Sequence, residues 1–76
     1  MSFSVEGIPK ELLSDPFYKT LLGLREFGWG QEKIARELGV SLRTVVRWCR
    51  GEGQPLLPAV RKMEILGVRQ GILRVS

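Results

Sequence analysis

The sequence contains no histidine and only one cysteine, Cys49, among its 76 residues. Without histidine, a single chain cannot build a zinc site, a Ser-His-Asp triad or a Cys-His pair. One cysteine excludes an internal disulfide and fits a reducing compartment. The eight acidic residues are scattered singly along the chain. We therefore expect a protein that is not an enzyme and that needs neither a cofactor nor a metal.

Long apolar runs are also missing. No segment approaches the roughly 20 apolar residues that a membrane-spanning helix needs. The first residues lack the basic stretch and apolar stretch of a signal peptide, so we expect a cytoplasmic location in a bacterial or phage-infected host cell. With 43% hydrophobic and 26% charged residues, the sequence has the composition of an ordinary globular protein. It predicts a single domain over residues 1–76.

The positive charge is concentrated in one short segment. The chain has a formal net charge of +4. Between Gly39 and Gly51 there are three arginines, Arg43, Arg47 and Arg50, and no acidic residue, whereas the two signs are mixed elsewhere. A basic balance permits binding to a polyanion, and a local excess indicates which segment would do so.

Caps, glycines and apolar periodicity predict four helices. Asp15-Pro16 is a typical helix start, because aspartate accepts a capping hydrogen bond and proline fits the first helical position. Ser41 is expected to cap the third helix in the same way. The predicted helices cover residues 16 to about 27, 31–38, 42–50 and about 57–66, and they stop at Gly28-Trp29-Gly30, Gly39, Gly51 and Gly67.

The two ends of the chain have weaker patterns. In the arm, residues 1–14, Phe3 and Val5 suit a short strand or a segment packed on a partner. A short helical turn is expected after Pro9. The tail, residues 68–76, suits either a helix or a short terminal strand, and the sequence leaves both open.

The second and third predicted helices are joined by Gly39-Val40-Ser41 alone. Such a short turn forces the two helices to cross steeply, with the small residue Ala35 at the crossing and Val40 filling the elbow. Val45 and Trp48 would then seat the third helix on the core. The opposite face of this helix, with its three arginines, would point outward. A protruding basic helix fits the major groove of DNA in width and in charge.

The motif from Gln31 to Arg50 resembles the helix-turn-helix of the phage Cro and repressor family, also called xenobiotic-response-element-like regulators. Its flanks are similar too. The stretch from Leu24-Arg25-Glu26 through Gly30-Gln31-Glu32 resembles the family's first helix and its entry to the second, and Trp48-Cys49-Arg50-Gly51 resembles its exit from the motif. The resemblance covers roughly residues 17–68. It implies an all-α, compact, four- to five-helix bundle of the lambda-repressor type. It also implies a transcriptional regulator that binds double-stranded DNA.

The same resemblance implies which residues meet DNA. Gln31 would touch a phosphate from the start of the second helix, and Lys33 and Arg50 would meet further phosphates. Arg43 or Arg47 would bridge O6 and N7 of a guanine with two hydrogen bonds. The predicted DNA-binding set is Gln31, Lys33, Ser41, Leu42, Arg43, Thr44, Val46, Arg47 and Arg50.

Three residues depart from the family pattern. Leu42 and Val46 stand where polar residues are common early in the third helix. They would contact either a thymine methyl group or another protein. Gly30 replaces the usual serine or threonine cap of the second helix, which weakens that cap.

Three functions follow from these observations. The first is a repressor or Cro-like regulator that binds a pseudo-palindromic site as a homodimer, through the fourth helix and the tail or through the arm. The second is an accessory module that binds RNA polymerase or a recombination or packaging complex. The third is the DNA-recognition part of a transposase, whose acidic catalytic cluster would lie outside this chain.

Overall fold

Four α-helices make up most of the structure, a computed structural model that describes residues 10–12 and 14–74. This part of the chain contains no strand. The predicted all-α bundle is therefore confirmed, while the expected strand or arm at Phe3 and Val5 lies outside the described residues. After a 3₁₀ turn at Lys10–Leu12, the helices are α1 (Pro16–Glu26), α2 (Gln31–Leu38), α3 (Leu42–Cys49) and α4 (Leu57–Arg69).

The helix starts follow from local capping chemistry. The Asp15 carboxylate accepts a hydrogen bond of 2.8 Å from the backbone N–H of Phe17. The Ser41 hydroxyl oxygen accepts one of 3.2 Å from the backbone N–H of Thr44. Gly39 ends α2 with φ 71° and ψ 31°, in the left-handed region that glycine adopts without strain. These three predicted boundaries are confirmed.

The core lies where α1 packs on α4 and where α2 packs on α3. The Phe17 ring contacts the Trp48 ring edge to face, with centroids 5.0 Å apart, and it contacts Tyr18 in the same way. This aromatic cluster ties α1 to α3. The buried apolar residues are Phe17, Tyr18, Leu21, Leu24, Ile34, Ala35, Leu38, Val45, Trp48, Cys49, Ala59, Met63 and Leu66.

The fourth helix is longer than predicted. We expected it to stop at Leu66 before Gly67, and this was wrong, because α4 continues to Arg69. The chain leaves helical geometry at Gly71, whose φ of 78° lies in the left-handed region. Ile72 then donates its backbone N–H to the carbonyl of Gly67, which folds the tail back onto the bundle. As far as it is described, the tail therefore forms a helix end and a turn.

Gly67 lies inside α4, and the groups around it leave no room for a side chain. A Cβ atom at this position would lie 2.5 Å from Oγ1 of Thr20 in α1 and 2.8 Å from Cδ1 of Leu73. Both distances are shorter than a real Cβ contact. Thr20 is fully buried, so its hydroxyl cannot swing into solvent. Tertiary packing against α1 thus explains a glycine that the sequence alone presents as a helix stop.

Replacing Gly67 by alanine is expected to lower the free energy of unfolding by up to about 2 kcal/mol. Overpacking costs about 1–3 kcal/mol, which outweighs the roughly 1 kcal/mol that alanine gains over glycine in a helix. Urea unfolding followed by circular dichroism measures the change. In a background with Thr20→Ala, which removes the clashing oxygen, the cost of Gly67→Ala should shrink. Gly23→Ala is the control, because its Cβ would meet the half-buried side chain of Ile72 in the tail. Equal losses for both glycines would contradict the packing argument.

Candidate nucleic-acid interface

Helices α2 and α3 form a helix-turn-helix. The backbone N–H of Val40 donates to the carbonyl of Ala35 over 3.0 Å, which holds the elbow against α2. Ala35 is buried and Val40 is half-buried against the core, as the sequence predicts for the crossing point. The third helix was expected to run to Arg50. Instead α3 ends at Cys49, and Arg50 is its C-cap residue.

The inner face of α3 is anchored in the core. Val45, Trp48 and Cys49 have exposed fractions of 0%, 4% and 1%. Trp48 makes the edge-to-face contact with Phe17, so α1 fixes the orientation of α3. The opposite face of α3 is consequently held outward by a packed core.

Three arginines share this outward face. With 3.6 residues per turn, Arg43, Arg47 and Arg50 lie within about 60° of one another around the helix axis, opposite the buried face. All three side chains are exposed. Helix α3 contains no acidic residue. The arrangement is a positively charged ridge, defined by these three residues, that can enter a groove lined by phosphates.

The loop after α3 lies beside Arg47. Nη2 of Arg47 is 3.7 Å from the place that a Cβ would occupy on Gly53, a glycine with a φ of 75°. The backbone N–H of Glu52 donates to the carbonyl of Arg47 over 2.9 Å. Sequence reading predicts only a turn for these residues and misses their contact with the arginine. Gly51-Glu52-Gly53 was the available signal, since two glycines let this loop pass close to the helix.

The other predicted contacts on α3 differ in their surroundings. Leu42 is 41% exposed, whereas Val46 is half-buried. The hydroxyl oxygens of Ser41 and Thr44 are 2.8 Å apart and hydrogen-bonded to each other at the cap of α3. Leu42 is thus available to a partner along the edge of the arginine ridge, while Ser41 and Thr44 already stabilise the helix start.

The start of α2 has open hydrogen-bond donors. Gly30 provides no side-chain cap, so the first backbone N–H groups of α2 have no acceptor from that residue. Gln31, the first helical residue, is half-buried, and Lys33 is exposed. The Lys33 ammonium lies 4.3 Å from the centroid of the Trp29 ring. An uncapped helix start with a nearby cation attracts an anion such as a phosphate.

Trp29 itself packs on the protein. Its ring is half-buried against the core. Its backbone N–H donates to the carbonyl of Leu24, and its carbonyl accepts a hydrogen bond of 3.1 Å from Arg25 Nη1. The tryptophan therefore fixes the loop between α1 and α2 and serves as a platform for Lys33. Sequence reading missed this cation–π contact.

A lysine of α4 supports the other end of α2. Nζ of Lys62 donates a hydrogen bond of 3.4 Å to the carbonyl of Leu38, the last residue of α2. A cation at a helix C-terminus is favourable, because the last carbonyl groups carry partial negative charge. The two residues are far apart in the sequence, so no local signal indicates the contact. It links the helix-turn-helix to the fourth helix.

Three further findings concern the described part of the chain. Among residues 10–12 and 14–74, no three histidine, cysteine, aspartate or glutamate side chains are grouped so that they could hold a metal ion. None of the helices described here has the length and apolar character needed to cross a membrane. The single cysteine, Cys49, is buried and forms no disulfide within the chain.

One comparison with known proteins gives a match. A family model described as a homeodomain-like domain matches residues 19–58. The matched region begins inside α1, includes all of α2 and α3, and ends at the start of α4, so it covers more than half of the chain. No curated protein and no solved structure matches this sequence. The helix-turn-helix prediction is confirmed, and the finer resemblance to Cro and repressor proteins stays a prediction.

Proposed function

Because the chain belongs to the homeodomain-like family of helix-turn-helix DNA-binding domains, we propose that it is a sequence-specific transcriptional regulator. The observation that carries this proposal is the arginine ridge of Arg43, Arg47 and Arg50 on the outer face of α3. In this class of domain the second helix of the motif enters the major groove, and its exposed side chains contact base edges. The proposed role needs neither catalysis nor a cofactor.

The side chains divide into base readers and phosphate contacts. We assign base reading to Arg43 and Arg47, since a guanidinium can donate two hydrogen bonds to O6 and N7 of one guanine. Arg50, at the C-cap of α3, would meet a phosphate. Gln31 and Lys33, at the uncapped start of α2, would meet another phosphate. Phosphate contacts of this kind set position and affinity but carry no base information.

A thymine contact is proposed for Leu42. It is exposed at the start of α3, and an apolar side chain there can touch the methyl group of thymine. Val46 is half-buried and offers less surface. Ser41 and Thr44 would contact the DNA backbone near the start of α3. The hydrogen bond between their hydroxyl groups would be kept.

A homodimer on a pseudo-palindromic site is the proposed binding mode. Helix α3 has 8 residues and is about 12 Å long, so a single α3 reaches only a few base pairs. Two copies related by a two-fold axis would read half-sites about one helical turn, or ~34 Å, apart. A Cro-like or repressor role follows if such a site overlaps a promoter, in the cytoplasm of a bacterial or phage-infected cell.

In-vitro selection from random duplex DNA tests the proposal. We expect an enriched motif with two inverted half-sites, and an affinity for it that falls steeply as salt rises. Each phosphate neutralised by a lysine or arginine adds about −0.9 to the slope of log K against log salt, so Lys33 and Arg50 in each copy predict a slope of about −4 for a dimer. Selected pools without any common motif would contradict sequence-specific binding.

A transposase DNA-recognition domain is the second candidate, because homeodomain-like domains of this family are also found in transposases. Such a domain would act with catalytic residues outside this chain. Selection would then yield a single asymmetric motif.

Recruitment of RNA polymerase or of a recombination or packaging complex through Leu42 is the remaining hypothesis. It predicts that the chain retains such a protein and shows no stable complex with free DNA.

A further inference from the structure

The outer face of α4 carries exposed apolar side chains. Leu57, Ile65 and Val68 have exposed fractions of 62%, 59% and 42%. The inner face of the same helix already supplies the core with Met63 and Leu66. Three large apolar residues on one exposed helix face are more than folding requires, so this face is suited to a partner.

Four residues of this face follow the spacing of a helix-pairing seam. Leu57, Arg61, Glu64 and Val68 are separated by four, three and four residues, which is the alternation found between facing helices in a coiled coil. All four side chains are exposed. At 3.6 residues per turn they lie within about 60° of one another around the helix axis. We refer to these four residues as the α4 seam.

The α4 seam is complementary to itself in one orientation. If a second copy lies antiparallel with the two-fold axis between residues 62 and 63, Leu57 meets the partner's Val68. Arg61 then meets the partner's Glu64. The symmetry produces each contact twice, giving two apolar contacts at the ends and two ion pairs in the middle. In a parallel pair, Arg61 would face the same arginine and Glu64 the same glutamate, which is repulsive.

A depression on the surface fits this register. It is lined by Glu64, Ile65, Val68 and Arg69, at the C-terminal end of the seam. In the antiparallel arrangement the partner's Leu57 lies over this depression. Ile65, beside the seam, would be partly covered by the same contact.

We propose that a second copy of this chain docks antiparallel on the outer face of α4, through the α4 seam. The dimer contact itself is argued from α4 alone. Its role, which is to place two α3 helices on one DNA site, rests on the proposed function. A helix of 13 residues spans about 20 Å, so the contact is smaller than the interface of a stable dimer. The free dimer is therefore weak, and binding of both copies to one DNA raises their effective concentration.

Charge reversal tests the proposal on the full chain. Sedimentation at protein concentrations up to about 1 mM and low salt should show a monomer–dimer equilibrium. Arg61→Glu places like charges opposite each other twice, and we expect it to weaken the dimer by about tenfold or more. The double variant Arg61→Glu with Glu64→Arg restores both ion pairs and should return the dissociation constant to within about threefold.

A matched leucine pair tests the apolar contacts. Leu57→Ser should weaken the dimer, whereas Leu56→Ser should not, since Leu56 is 76% exposed but lies outside the α4 seam. A chain that stays monomeric at every concentration would overturn the proposal. So would a double charge variant that is no better than Arg61→Glu alone.

DNA binding separates this inference from the proposed function. On DNA with one half-site, Arg61→Glu should bind like the unmodified chain. On DNA with two half-sites it should lose the cooperative gain, about tenfold. If half-site binding persists and Arg61→Glu leaves binding to two half-sites unchanged, the α4 dimer is wrong and the DNA-binding proposal stands. If no DNA is bound at all, sedimentation still decides whether the α4 dimer forms.

Discussion

Replacing Arg43 and Arg47 together by alanine is expected to weaken binding to the selected half-site by about 100-fold or more. Each arginine that bridges a guanine contributes about 1–3 kcal/mol of base discrimination, so the loss of two gives an effect of this size. Both side chains are exposed on the face of α3 opposite the core, so the fold should be unchanged. Fluorescence anisotropy on labelled half-site DNA measures the affinity, and circular dichroism verifies the helix content.

Two matched variants separate base reading from charge. Arg69→Ala with Arg74→Ala removes the same charge from outside α2 and α3, and we expect a change of less than about threefold at moderate salt. Replacing both Arg43 and Arg47 by lysine keeps the charge. It removes the planar guanidinium that donates two hydrogen bonds to one guanine. That variant should bind unrelated DNA as before while losing preference for the selected site. An alanine pair that binds the selected site normally would show that the arginine ridge does not read bases.

Replacing Trp48 by alanine is expected to remove about 3–5 kcal/mol of stability. Trp48 is 4% exposed and packs edge to face on Phe17, so alanine would leave a cavity between α1 and α3. A domain of 76 residues is stabilised by only about 4–11 kcal/mol in total. The variant should therefore unfold at a much lower urea concentration, as measured by circular dichroism, and lose DNA binding with its fold.

Trp29 provides the internal control for that loss. It is half-buried and contributes a cation–π contact with Lys33, for which estimates run to about 1 kcal/mol at exposed sites. Trp29→Ala should cost about 1–2 kcal/mol and weaken DNA binding only slightly, through the less ordered Lys33. Similar urea midpoints for the two alanine variants would contradict the placement of Trp48 in the core.

Helix boundaries with a chemical cap could be predicted from the sequence. Asp15, Gly39 and Ser41 act through backbone groups within a few residues, so their effect needs no knowledge of the fold. The same holds for the two faces of α3, because helical periodicity alone separates Val45 and Trp48 from the arginines. These local signals located both the motif and the face that we propose contacts DNA.

Contacts between distant segments could not be predicted in this way. Gly67 has the local signature of a helix stop, but its close approach to Thr20 leaves room only for a glycine inside the helix. Lys62 reaches the end of α2 from another helix. The place of Gly53 beside Arg47 depends on how a short loop turns back. Each depends on tertiary geometry, which periodicity and propensity do not encode.

The inner and outer faces of α3 are formed by different residues. Val45 and Trp48 hold the fold, while Arg43 and Arg47 are exposed. On the proposed base reading by Arg43 and Arg47, new side chains at these two positions can be selected for other DNA sequences on an unchanged scaffold. Position 47 differs from position 43 in its surroundings, because the tip of the arginine there lies beside Gly53. A redesign that alters residue 47 should vary the length or composition of that loop at the same time.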